Sequence, residues 1–168
     1  NHVKGMVAAG ASMAEFIEYF WVAYCYQGDQ ALLMSTQALA LALQLRGQTV
    51  SPALLLAQDV EAVLAQYQAL TEPDQLNHLN HIIACYQAND RATLEQAVFE
   101  QGILPSKIKL LAMLGNYVVT LQAAQASTWL ARARAAGVSD GELADLGFVC
   151  LLTAGIPAWF ECCDLLVA

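Results

Sequence analysis

The chain has 168 residues and a formal charge of −8, with only seven lysines and arginines. That lacks the basic stripe a nucleic-acid partner requires, so none is expected. Apolar residues make up 58% and charged residues 13%, more apolar surface than one small soluble monomer has to bury. A membrane-spanning helix needs about 20 successive apolar residues. The longest uncharged stretch, Leu110 to Leu130, carries Asn116, Thr120, Gln122, Gln125, Ser127 and Thr128. No membrane partner is therefore expected, and the excess points to a homo-oligomer whose subunit contacts resemble a core cut in half.

Nearly every segment predicts helix. The opening "NHVKGMVAAGAS" places Val3, Met6 and Val7 at helical spacing before a stop at Gly10. It reads as a helix over 2–9 entered partway. Ser12-Met-Ala-Glu15 is a capping box that starts a helix over 13–27, followed by one over 29–46. Ser51-Pro52 puts proline at the first helical position of 52–70, and Thr71-Glu-Pro-Asp does the same for 73–88. Asp90 and Ser106 cap 91–101 and 106–117. A helix over 119–136 comes next, then a second capping box, Ser139-Asp-Gly-Glu142, for 140–153, and a last helix over 156–167. Gly10, Gly28, Gly47, Gly102, Gly137 and Gly155 mark stops or tight turns. There is no signal-peptide pattern. The five cysteines (25, 85, 150, 162 and 163) form no C-x-x-C pair, and adjacent Cys162 and Cys163 cannot form an ordinary bridge. Buried thiols in a reducing, cytoplasmic compartment are expected.

The chain also repeats itself. Ala8 to Leu39 overlays Ala135 to Leu166 without a gap. Ala8, Ala9, Gly10, Ser12, Glu15, Gly28, Ala31 and Leu39 meet identical residues. The matches fall on helix stops and caps. One all-helical domain is expected, with a first repeat unit at 1–47, connecting helices at 48–103 and a second repeat unit at 104–168.

The repeated unit resembles the carboxymuconolactone decarboxylase / alkylhydroperoxidase D family. That family carries C-x-x-C-x-x-x-H on a helix, an Ala-Ala-Gly-like stop, a Ser/Thr-x-x-Glu cap and two apolar helices split by glycine. The resemblance implies an all-α, alkylhydroperoxidase D-like helical bundle with an internal duplication, assembled as a trimer or hexamer. In the first copy His2 falls on the family histidine, and the cysteines would lie before Asn1. In the second copy Gln122, Gln125 and Trp129 stand at the cysteine and histidine positions. Glutamine cannot act as the thiolate nucleophile, and tryptophan cannot relay a proton.

The resemblance implies a peroxidase-type oxidoreductase, or a decarboxylase acting on a small lactone or carboxylate. The candidate catalytic residues are His2 and Glu18, which flank the same Gly10 turn. The alternative is a non-catalytic scaffold or a small-molecule binding protein that kept the fold. No cofactor and no metal is expected. His78, His81 and Cys85 share a helical face at a spacing that can hold a transition metal or pair a thiol with an imidazole; a half-exposed face with a core cysteine is the preferred explanation. The aromatic run "EFIEYFWVAYCY" fits a pocket wall, a core or a subunit interface.

Overall fold

The computed structural model describes residues 2–167, the side chains as far as residue 165. Among the described residues there are eleven helices and no strand, so the chain is all-α. None of these helices is long and apolar enough to cross a membrane. The contacts divide the chain into two compact units, residues 1–104 and 105–168.

The first unit holds α1 (His2–Ala8), α2 (Met13–Gln27), α3 (Asp29–Leu45), α4 (Pro52–Leu56), α5 (Val60–Leu70), α6 (Leu76–Gln87) and α7 (Arg91–Glu100). The Ser12 capping box forms in full: the Glu15 amide donates to the Ser12 hydroxyl, and the Ser12 amide donates to the Glu15 carboxylate. Ser51 and Asp90 cap α4 and α7 as expected. Two expectations need correction. The stretch 52–70 is two helices, because the Asp59 side chain accepts from the Ala62 amide at 2.8 Å and starts a new helix there. Thr71 starts nothing. Its hydroxyl donates back to the Tyr67 carbonyl at 2.7 Å and finishes α5, and α6 begins only at Leu76.

Helix α2 lies against α3, α5 and α7. It buries Phe16, Ile17, Trp21 and Val22 against Leu32, Tyr67, Leu94 and Phe99, all at the core of this unit. Full burial of such side chains stabilises a fold by roughly 1.5–3 kcal/mol each. A buried polar chain fixes α5 to α3: the Tyr67 hydroxyl donates to Ser35 Oγ at 2.7 Å, and Ser35 donates to the Leu32 carbonyl at 2.6 Å. Burial raises the Tyr67 phenol above its ordinary pKa, more than the Ser35 bond lowers it. Trp21 sits edge-on to Tyr24, Tyr67 and Tyr86, with centroids 5.4, 6.2 and 6.1 Å away, an arrangement that suits the ring quadrupoles.

The second unit holds α8 (Ser106–Val119), α9 (Ala123–Ala135), α10 (Asp140–Ala154) and α11 (Ile156–Val167). Ser106 is the first residue of α8 rather than its cap, a place taken by Pro105. Helix α9 starts after Leu121, which adopts a φ of 56° and breaks the run expected from 119. The Ser139 capping box forms with Glu142. The core holds Leu110, Met113, Leu114, Val118, Trp129 and Leu143, with Cys150 and Cys162 among them.

All six glycines expected at stops have φ between 67° and 103°, a region in which a side chain is strained. Cys25, Cys85, Cys150 and Cys162 are buried free thiols, and Cys163 is half-buried.

The buried thiols carry a pH signature. Burial pushes Cys150 from 9.0 up to about 11, with Cys162 adding a smaller effect in the same direction. A group held neutral in the fold but ionised in the unfolded chain removes stability once pH exceeds its unfolded value. The stability of the second unit, measured by urea unfolding, should hold to pH 9 and fall by on the order of 2 kcal/mol by pH 11. Cys150→Ala should be less stable at pH 7 yet show a flatter profile; an unchanged slope would refute this assignment.

Candidate ligand-binding cavity

The first unit carries a half-open cavity of about 180 Å³ beside α2. Helix α2 supplies Ala14, Ile17 and Trp21, one turn apart on its inner face, and α6 supplies Leu79 and Ile82. Ile103 completes the apolar wall. The polar wall consists of Glu18, Thr71, Asp74, Gln75 and His78. Positions 14, 17, 18 and 21 share one face of a helix by spacing alone. The turn around Pro73 that delays the start of α6 is what brings Asp74 and Gln75 to the rim.

Glu18 closes this wall. Its Oε1 accepts from the Ile103 amide at 2.6 Å, and its Oε2 accepts from the Leu104 amide at 2.9 Å. The side chain is buried, so the charge is solvated by backbone dipoles instead of water, as in an anion-binding nest. Gly102 makes the approach possible. Its φ is 103°, and a Cβ there would overlap the Glu18 carboxylate.

Among the residues that line the cavity, Trp21 and Gln75 each keep a buried polar atom without a hydrogen-bond partner among the described residues, Trp21 Nε1, a donor, and Gln75 Oε1, an acceptor. Trp21 is 1% exposed. Leaving such groups unpaired costs about 1–3 kcal/mol each.

His2 and Glu18 are placed differently. His2 is exposed at the start of α1, a helix that buries none of its residues, and it does not line the cavity. Glu18 lines the cavity with both oxygens engaged by backbone. A separate depression at the Gly10 turn is lined by Met6, Ala11, Glu15 and Tyr19 among others, with neither His2 nor Glu18 in its wall. The His78, His81 and Cys85 face is divided. His78 lines the cavity, His81 is exposed, and His81 Nε2 stands 4.0 Å from the Cys85 sulfur. No group of three or more metal-ligating side chains occurs among the described residues. In the second unit, Gln122 lies before the first turn of α9 and Gln125 is exposed. Trp129 stacks on Tyr117 at 6.4 Å beneath the Arg132 guanidinium at 4.1 Å.

The residues not singled out by sequence are Gln75 and Asp74. Asp74 belongs to the Thr71-Glu-Pro-Asp turn, read only as a helix start, and Gln75 follows it; the fold is what brings both to the cavity that Trp21 lines. No family model, no curated protein and no solved structure matches the chain.

The Glu18 clamp has measurable weight. Glu18→Gln retains the shape but leaves one backbone amide facing an N–H donor. It should destabilise the first unit by about 1–3 kcal/mol in urea unfolding. Gly102→Ala should cost at least as much, through its φ and the overlap. Variants as stable as the parent would show the carboxylate to be dispensable.

Proposed function

We propose that this chain is a small-molecule binding protein, built on an alkylhydroperoxidase D-like scaffold of two related units, with its site in the cavity beside α2. The observation that carries this is a cavity whose apolar wall of Ala14, Ile17, Trp21, Leu79 and Ile82 faces a small set of polar residues, Thr71, Asp74, Gln75 and His78. A pocket of this kind is how proteins hold small organic ligands in a fixed orientation. An apolar cavity of about 150 Å³ accommodates a single aromatic ring, so 180 Å³ suits a molecule of one ring.

The duplication is supported by helix boundaries that recur at a constant offset of 127 residues. Ala8 and Ala135 end helices, Met13 and Asp140 begin them, and Asp29 and Ile156 begin the next pair. Thiol peroxidase chemistry has less support. None of the five cysteines lines the cavity, and burial raises the pKa of Cys150 and of Cys162, lowering the thiolate fraction at neutral pH. In this reading Glu18 builds the wall and His2 takes no part.

Small neutral one-ring compounds should raise the thermal midpoint of the protein. Ala14→Leu, which fills the cavity, should abolish that shift while the protein stays folded by circular dichroism. A shift that survives in Ala14→Leu, or dithiol-dependent peroxide reduction above the uncatalysed rate, overturns the reading.

A second proposal concerns assembly. At the 127-residue offset, Trp21, Val22 and Cys25 correspond to Phe148, Val149 and Leu152. The first three are 1%, 1% and 7% exposed, and their counterparts 54%, 57% and 87%. Ile156 and Phe160 extend this apolar face on α11. A face that is core in one unit and bare in the other supports self-association of second units into a homo-oligomer. Light scattering should give a mass above one chain, and Leu152→Arg should reduce it to the monomer. A monomeric parent removes this part of the proposal and leaves the cavity reading intact.

A further inference from the structure

We infer that the exposed face of α3 is a self-docking surface, and that its occupant is the α3 of a second copy running antiparallel. This rests on the proposed association of second units and extends it from one contact to two. The face has a repeat of its own. Met34, Ala38, Leu41 and Leu45 follow a 4-3-4 spacing, the average of 3.5 residues that keeps an apolar seam turned toward a partner helix. Met34, Leu41 and Leu45 are 59%, 37% and 42% exposed, while the opposite side of α3 buries Leu32, Leu39 and Leu43. An exposed seam of this spacing fits a helix that carries the same spacing.

The flank of the seam identifies the partner. Gln30, Gln37 and Gln44 recur every seven residues along one edge, all exposed. The other edge is Ala31, Ser35 and Ala42, buried in the first unit itself. Between Asp29 and Arg46, α3 carries no charged residue. A foreign helix is selected by opposite charges at such flanking positions. A row of one charge there would repel an identical copy, whereas a glutamine amide donates and accepts at once and so pairs with its own kind. In a chain of charge −8, two copies can meet on this face without repulsion. Antiparallel pairing sets Met34 opposite Leu45 and Ala38 opposite Leu41, so a leucine fills the space beside the small alanine. A parallel pair sets Ala38 against itself and brings like helix ends together.

Four side chains per copy along roughly 17 Å of helix make a smaller contact than the about 1,200–2,000 Å² of a stable interface. The seam therefore closes only where second units already hold copies together and raise their effective concentration. It joins two such clusters into an assembly of twice the size. The test is light scattering of the full chain at pH 7 beside Leu41→Arg, Met34→Glu and Gln37→Glu. Leu41→Arg and Met34→Glu should each halve the parent mass with circular dichroism unchanged. Gln37→Glu should halve it at low salt and regain the parent mass at about 0.5 M sodium chloride, where the new charges are screened. Gln37 is exposed, so this readout survives if an apolar-to-charged variant fails to fold. A parent mass retained in all three variants overturns this inference and leaves the second-unit contact standing. A dimeric parent that Leu41→Arg dissolves and Leu152→Arg spares keeps α3 as a docking face and overturns the second-unit contact on which the doubling rests. A monomeric parent overturns both.

Discussion

The carboxylate of Glu18 crosses from the middle of α2 to the backbone amides of Ile103 and Leu104, a contact spanning more than 80 positions of sequence. The first unit is arranged around it. Helices α4 to α7 leave α3 and return to α2, and the carboxylate holds the end of that excursion in place. A buried anion is tolerable only when donors replace its lost hydration. Here they are two N–H groups from a backbone loop that must pass close enough to touch, which only glycine at 102 allows.

Trp21 is both a core residue of the first unit and part of the cavity wall. Its ring is locked edge-on against three tyrosines, so its orientation is set by the core and not by any ligand. Four of the five thiols are buried, burial penalises the ionised form of Cys150 and Cys162, and they behave as small core residues.

Much of the helical framework was legible because caps and stops are local chemistry. Ser12 with Glu15, Ser139 with Glu142, Ser51, Asp90 and the six positive-φ glycines each announce themselves within four residues. The misreadings were local ambiguities. Asp59 lies inside an apolar-periodic run, and its choice between exposed helical residue and cap depends on whether the chain bends there. Thr71 precedes a proline turn and has the composition of a cap, yet its hydroxyl found the Tyr67 carbonyl behind it. The cavity was less legible. Glu18 stands out in the sequence, but as a catalytic candidate; its engagement with residues 103 and 104 is set by tertiary approach. Asp74, Gln75 and His78 reach Trp21 for the same reason, and no spacing rule connects positions 21 and 75.

The clamp also binds two distant positions into one heritable choice. Alanine at 102 cannot appear while glutamate occupies 18, since the new methyl and the carboxylate would claim the same space. A shorter acid at 18 would withdraw from that space but would also surrender the two amides. Among descendants of this chain, columns 18 and 102 should drift together or not at all, leaving a covariation signal from a carboxylate that needs no role in any reaction.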